Sequence, residues 1–298
     1  MDGLPVAFYE NLTIPLYVES IATCRELSGR FGALAIEAIQ KQAYCNLGVI
    51  DGKVTEKTFH RHFEEEETVE PIAIVPRKNH TLTSVGFASF GEADCAVDRN
   101  LSGILVESSR GLDVYLTLFT PNLSAEIEKC IDAIPLVSWF MVKTEPADAV
   151  LRIFAQLVKK KTLKSANFAK SSLQDKSEQL LIELLQQAQF NCAWVGDISY
   201  SFLRNVIELW KAHSDKMVGK RFHCGNRLDN QREEEFTEFV TELGVERCSE
   251  EEWRYVQIYH PLVLCAGGER SEWVISWNKR RGRIYWFFDD ANMTLLFA

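Results

Sequence analysis

Leu4, Phe8, Leu12 and Leu16 recur every four positions, which predicts a helix over 4–18. Pro5 suits its first turn, where a missing N–H would be unpaired anyway, whereas Pro15 should end or kink it. A second helical stretch, 22–42, carries Leu27, Phe31, Leu34 and Ile39, and Gly29 and Gly32 weaken it by about 1 kcal/mol each relative to alanine. The pattern then changes to strands. Tyr44–Ile50 and Lys53–His60 flank Asp51-Gly52 and predict a hairpin around a tight turn. Glu64 to Glu67 reads as a solvated loop, and further strands are expected at Ile72–Val75 and Leu82–Phe90.

From 112 to 243 the text becomes regular. Strands are expected to begin near Leu112, Leu136, Leu163, Phe190 and Met217, at intervals of 24, 27, 27 and 27. Helices are expected between them at 123–134, 147–160, 175–188 and 199–213, with one more at 231–243. Each has one apolar stripe: Val150, Leu151, Phe154, Leu157 and Val158; then Leu180, Leu181, Leu184, Leu185 and Ala188; then Phe202, Leu203, Val206, Leu209 and Trp210. One-sided helices alternating with short strands require a parallel sheet, because each crossover returns the chain in the same direction. A near-constant interval favours a short irregular solenoid, similar to long leucine-rich repeats, over another α/β layer fold. Ser138-Trp139-Phe140 and Ala166-Asn167-Phe168 stand where leucine-rich repeats keep their leucine-x-leucine core. The C-terminus, at Trp253–Tyr259, Glu272–Trp277, Arg283–Phe288 and Thr294–Phe297, reads as antiparallel strands that would cover the open edge of the parallel sheet. The expected organisation is a helical segment over 1–45, a β-rich connection over 46–111, and an α/β body with its strand cap over 112–298.

Composition narrows the classes. A 298-residue chain with 46% apolar and 25% charged residues is ordinary globular material, and no apolar run is long enough for a bilayer span. Its net charge of −9 is a poor match for nucleic acid, whose phosphates demand a basic face. The opening Met1–Pro5 has neither the basic nor the apolar region of a signal peptide, and the eight cysteines are scattered with no C-x-x-C. Reduced thiols in a cytoplasmic or nuclear protein are therefore expected.

The search for chemistry yields little. No G-x-S-x-G elbow occurs, and Ala266-Gly267-Gly268-Glu269 precedes a strand and reads as a turn rather than a phosphate loop. His60-Arg61-His62 and His223-Cys224 lack further ligands at metal-site spacing. Lys159-Lys160-Lys161 lies at a helix C-terminus, where the helix dipole favours cations. Lys279-Arg280-Arg281 lies on a hairpin turn. No catalytic residue, metal or cofactor is expected. The dense aromatic group Trp273, Trp277, Tyr285, Trp286, Phe287 and Phe288 would place some rings on an outer face.

The opening LPVAFYENLTIPL is similar to the start of an F-box, with its Leu-Pro pair and short apolar helix. Ala22-Thr23-Cys24-Arg25-Glu26-Leu27-Ser28-Gly29-Arg30-Phe31 stands where that motif keeps an apolar–Cys–basic segment with an aromatic. Met1-Asp2-Gly3-Leu4-Pro5, the repeats over 112–243 and Trp286-Phe287-Phe288 together resemble the nematode-type family of F-box-like proteins. The resemblance implies a non-enzymatic substrate receptor of a Skp–cullin–F-box ubiquitin ligase. Leu4, Pro5, Phe8, Leu12 and Leu16 would be the anchors buried on a Skp-type adaptor, and the repeat body would hold a protein target on its strand face. The alternative is a stand-alone protein-interaction scaffold that has lost adaptor binding.

Overall fold

The computed structural model describes residues 29, 32–34, 43–61, 67–69, 80–89, 97–109, 113–172, 175–225, 238–239, 241–242, 246–247, 249, 272–276, 283–288 and 293–297. Leu4, Pro5, Phe8, Leu12 and Leu16, the helix expected over 4–18, and the strands expected at 72–75 and 253–259 lie outside these residues. Of the helices expected over 22–42 and 231–243, residues 29, 32–34, 238, 239, 241 and 242 are described; all are helical except Gly29, a bend whose φ of 83° interrupts the first expected helix. The chain is mixed α/β and divides into two compact units, residues 1–157 and 158–298.

In the first unit the strands are β1 (Ala43–Ile50), β2 (Lys53–Arg61), β3 (Glu67–Val69), β4 (His80–Ala88), β5 (Val114–Leu118) and β6 (Val137–Val142). Their order in the sheet is β6-β5-β4-β1-β2-β3. The expected hairpin is present: β1 and β2 pair antiparallel, and Asp51 and Gly52 both take positive φ, 47° and 74°, as a two-residue type I′ turn requires. β1 also pairs parallel with β4, β4 with β5, and β5 with β6. Helices α1 (Leu101–Ser108) and α2 (Ala125–Asp132) make the crossovers and touch each other. Right-handed crossovers between successive neighbouring strands put both helices on one face of the sheet. Ser124 caps α2 by accepting from the Ile127 N–H at 3.3 Å, and Glu126 and Glu128 sit favourably in its first turn.

Helix α3 (Asp148–Lys160) contains the boundary between the units. Its expected stripe of Val150, Leu151, Phe154, Leu157 and Val158 is buried, with Ile153 added. Phe154 stacks on Phe140 of β6 at 5.6 Å between centroids, a pair that contributes about 1 kcal/mol beyond the area it buries. After the helix, Lys161 turns the chain with φ 57°, and its N–H donates to the Val158 carbonyl at 3.1 Å. This left-handed position suits glycine, so Lys161→Gly is expected to stabilise the protein by about 0.5–1 kcal/mol in urea denaturation.

In the second unit, β7 (Ser165–Ser172), β8 (Cys192–Asp197) and β9 (Arg221–Cys224) are parallel neighbours. They are linked by α4 (Asp175–Leu185), α5 (Tyr200–Ala212) and the short α6 (Ser214–Met217). The chain then reverses. β13 (Met293–Phe297) pairs antiparallel with β9, followed outward by β12 (Arg283–Phe288), β11 (Glu272–Ser276) and β10 (Glu246–Arg247). The strands expected at the C-terminus thus cover the edge of the parallel set, as anticipated. Leu163, Phe190 and Met217, placed at strand starts by the periodicity, are fully buried anchors just before β7, β8 and β9. Ala188 departs from its expected stripe: α4 ends at Leu185, and Ala188 is exposed beyond it. In α5, Ile207 is fully buried beside Phe202, Leu203, Val206 and Trp210, while Leu209 is half-buried.

Two side chains close helix C-termini in this unit. Gln187 Nε2 donates to the Val158 carbonyl at 2.9 Å. Lys220 Nζ donates to the Leu185 and Gln187 carbonyls at 2.6 and 2.7 Å. Lys220 thus gives the Leu185 carbonyl at the end of α4 a donor, and the Val158 and Gln187 carbonyls gain a second donor beside the Lys161 and Phe190 N–H groups.

Candidate functional site

Strand alternation makes the two faces of each sheet unlike. In the first unit, Val114, Leu116 and Leu118 of β5 and Phe140 and Val142 of β6 are buried. The intervening Tyr115 and Trp139 are 41% and 36% exposed, the signs of a strand face that no helix among the described residues covers. A register shift between Val114 and Tyr115 brings Tyr115 opposite Trp139, and their rings stack at 5.0 Å and 18°. Tyr115 is also opposite Ser84 of β4, and Ser84 opposite Asn46 of β1, so Asn46, Ser84, Tyr115 and Trp139 form one cross-strand row. The parallel row contains Gly48, Gly86, Thr117 and Met141. Phe119, 52% exposed, lies over Gly86: a Cβ there would meet the Phe119 ring at 3.0 Å. None of these positions within β1, β4, β5 and β6 carries a charge; Glu56 of β2 is opposite Gly48, and Lys143 follows just past the end of β6.

The second unit has a row of the same kind. Asn167, Trp194, His223 and Thr294 are cross-strand partners on β7, β8, β9 and β13. Trp194 is 39% exposed and stacks on the His223 ring at 4.1 Å and 24°. His223 Nδ1 is 2.8 Å from Thr294 Oγ1, which fixes the imidazole plane. The neighbours Ala166, Phe168, Ala193, Val195, Phe222 and Cys224 are buried on the opposite face.

Sequence reasoning had Trp139 and Asn167 only as departures from a leucine-rich strand core, and it singled out neither Tyr115 nor Trp194. The available signal was positional: Tyr115, Trp139, Asn167, Trp194 and His223 each lie between two apolar or small residues of a short strand. From the aromatic group expected on an outer face, Tyr285 is instead buried at 1%: with Leu296 and Thr294 it lies on the His223 face, and that face is covered at β12 and β13. The side chains of Trp273, Trp277, Trp286, Phe287 and Phe288 lie outside the described residues, as do those of His60 and His62.

Other chemistry is sparse. Burial pushes the Cys192 thiol up and the Cys224 thiol well up, and burial with nearby Glu126 raises Cys130. These thiols hold their protons at neutral pH and are poor nucleophiles. Among the described residues no three His, Cys, Asp or Glu side chains are grouped to hold a metal ion. A cleft of about 370 Å³ lined by Gln186, Phe190, Asn191, Asp215, Lys216 and Val218 lies before the first residues of β8 and β9. That is the end of the strands opposite to the carboxyl ends, where open α/β sheets place their ligands. No helix among the described residues is long and apolar enough to cross a membrane.

The chain matches no family model, no characterised protein and no solved structure.

Proposed function

We propose that this chain is a non-enzymatic target receptor that holds another protein on its uncovered strand face, in the manner of an F-box-like subunit of a ubiquitin ligase. The observation that carries the reading is the exposure of Tyr115, Trp139 and Trp194 on strands whose alternate residues are fully buried. Large rings left in water at equivalent strand positions add nothing to the core. An exposed aromatic patch is where a protein surface most often meets a partner.

The β-α units are taken as a short, irregular body of leucine-rich-repeat type, in which each unit offers side chains from its own neighbouring strands. Residues 1–45 would supply the docking segment, with Leu4, Pro5, Phe8, Leu12 and Leu16 as anchors in the groove of a Skp-type adaptor. The place of action would be the cytoplasm or nucleus, where such ligases work.

Gel filtration of the intact chain with purified Skp-type adaptor tests the docking half. A stoichiometric complex is expected, and Leu4→Asp with Phe8→Asp should weaken it by about 100-fold, the effect of burying two unpaired charges in an apolar groove. Absence of a complex, with an adaptor that binds an established F-box protein, overturns the ligase reading and leaves the stand-alone scaffold.

A further inference from the structure

Lys220 is a buried cation with a hydrogen to spare. The residue is 3% exposed, and its Nζ donates to the Leu185 and Gln187 carbonyls at 2.6 and 2.7 Å. An ammonium has three N–H groups, so one is left over. Both acceptors are neutral, and among the described residues no carboxylate forms an ion pair with Lys220. Burial lowers its pKa to about 8, so most of its charge remains at neutral pH. A buried charge with no counter-charge is costly, and a bound anion relieves that cost.

This charge borders the cleft of about 370 Å³ in the second unit. Lys220 lines the cleft, and Gln187, whose carbonyl holds the Nζ, stands between the lining residues Gln186 and Ala188. Both walls are pinned by backbone hydrogen bonds. On one side the Phe190 N–H donates to the Gln187 carbonyl at 3.1 Å, and the Asn191 N–H donates to the Lys164 carbonyl at 2.8 Å. On the other the Val218 N–H donates to the Ser214 carbonyl at 3.2 Å, and the Gly219 N–H donates to the Phe297 carbonyl at 2.7 Å. Val218 is thus held 58% exposed in a fixed turn. The cleft lies away from the carboxyl ends of the strands, so the buried ammonium marks it as a site, not its position in the sheet.

Charge and apolar surface decide the ligand class. Lys216 and Lys220 are cations and Asp215 is an anion, so the lining has one net positive charge on a chain of net charge −9. One net charge suits a monoanion. A phosphate is better matched by guanidinium forks or a helix N-terminus, neither of which lines this cleft, and it would leave Val218 and Ala188 in water.

We propose that this cleft binds a small monocarboxylate with an apolar body, free or as the last residue of a peptide. Its carboxylate accepts from the third N–H of Lys220 and from the Lys216 ammonium, and its hydrocarbon part lies on Val218. The site is separate from the strand rows around Tyr115 and Trp194 and does not depend on the receptor reading.

Titration of the intact chain with isocaproate, followed by NMR of the Val218 methyl groups, tests this. Saturable shifts are expected with a dissociation constant of about 1 mM or below. Isocaproamide, which has the same shape without the charge, should bind about tenfold more weakly or worse, and so should inorganic phosphate. Lys220→Met should weaken isocaproate by about tenfold or more, read by calorimetry, as should Val218→Asp, which sets a second carboxylate at the exposed rim. Lys176→Gln, an exposed change on α4 outside the cleft, should keep binding. If Lys220→Met does not fold, as judged by circular dichroism, Val218→Asp and the amide decide. The peptide Gly-Ser-Gly-Leu, as free acid and as amide, separates the sources. Free-acid peptide binding more tightly than isocaproate assigns the site to a chain terminus, and isocaproate binding alone assigns it to a free small acid; both support the proposal. No saturable binding of isocaproate or of the free-acid peptide overturns it, as does equal binding of the amide or of phosphate, or binding indifferent to Lys220→Met and Val218→Asp alike.

Discussion

Gly52→Ala is expected to destabilise the protein by about 3 kcal/mol, with the urea midpoint lowered and the slope unchanged. Two independent costs add. Gly52 has φ 74°, and an L-residue there loses about 1–2 kcal/mol to contact between its Cβ and the backbone. The new Cβ would also lie 2.8 Å from Val97 Cα and 2.9 Å from Val97 Cγ2, and overpacking against backbone costs about 1–3 kcal/mol. The backbone has little freedom to yield. The Gly52 carbonyl accepts from the Asp98 N–H at 3.0 Å, the Asp51 N–H donates to the Ala88 carbonyl at 3.1 Å, and Ser89 Oγ donates to Asp51 Oδ1 at 2.7 Å. Gly219→Ala is the control. Its φ of 81° is as unusual, but no atom lies within 4 Å of the added carbon, so only the backbone cost of about 1 kcal/mol should appear. Equal losses at the two sites would rule out the Val97 contact as a cause.

Lys220→Met should cost about 1–2 kcal/mol, the penalty for leaving the Leu185 carbonyl buried without this donor while the Gln187 carbonyl keeps only the Phe190 N–H at 3.1 Å, partly offset by no longer burying an ammonium. The side chain is 3% exposed, and burial lowers its pKa from the ordinary 10.5 to about 8. The folded state therefore gives up this proton near pH 8, while the unfolded chain keeps it until about 10.5. Between those values the unfolded state binds more protons, so stability rises with pH through that window. The neutral amine still has two N–H groups for the two carbonyls, and the capping contacts outlast deprotonation. The stability difference between wild type and Lys220→Met, followed from pH 7 to pH 10.5, should widen. A difference that stays flat or narrows would mean that the buried amine keeps its ordinary proton affinity.

How far the amino-acid text carried these conclusions differs by element. The Asp51-Gly52 pair between two alternating runs specifies its hairpin, because only that turn type matches the strand twist and needs two left-handed residues. The parallel β-α units were legible because each helix bears a single apolar stripe and the chain must return for the next strand. The C-terminal strands were legible by alternation. Burial of Leu163, Phe190 and Met217 explains why strand starts were placed two to four residues early: an apolar anchor at the strand's base looks the same in the sequence as its first residue. The aromatic rows were harder. Tyr115 meets Trp139 only after a register shift that no single strand encodes. Trp194 meets His223 through pairing between strands separated by the whole of α5 and α6. Lys220 was invisible for a different reason. A lone lysine before a strand has no pattern, and its role arises from two carbonyls more than thirty residues away.

Hydroxyl-radical footprinting of the free, intact chain, read residue by residue by mass spectrometry, tests most directly whether the strand surface around Tyr115, Trp139 and Trp194 is open. Rapid oxidation of Tyr115, Trp139 and Trp194 is expected, with Trp210 and Tyr285, at 0% and 1% exposure, protected by comparison. Protection of Trp139 and Trp194 to the level of Trp210 would contradict the open face and, with it, the surface proposed to hold a partner.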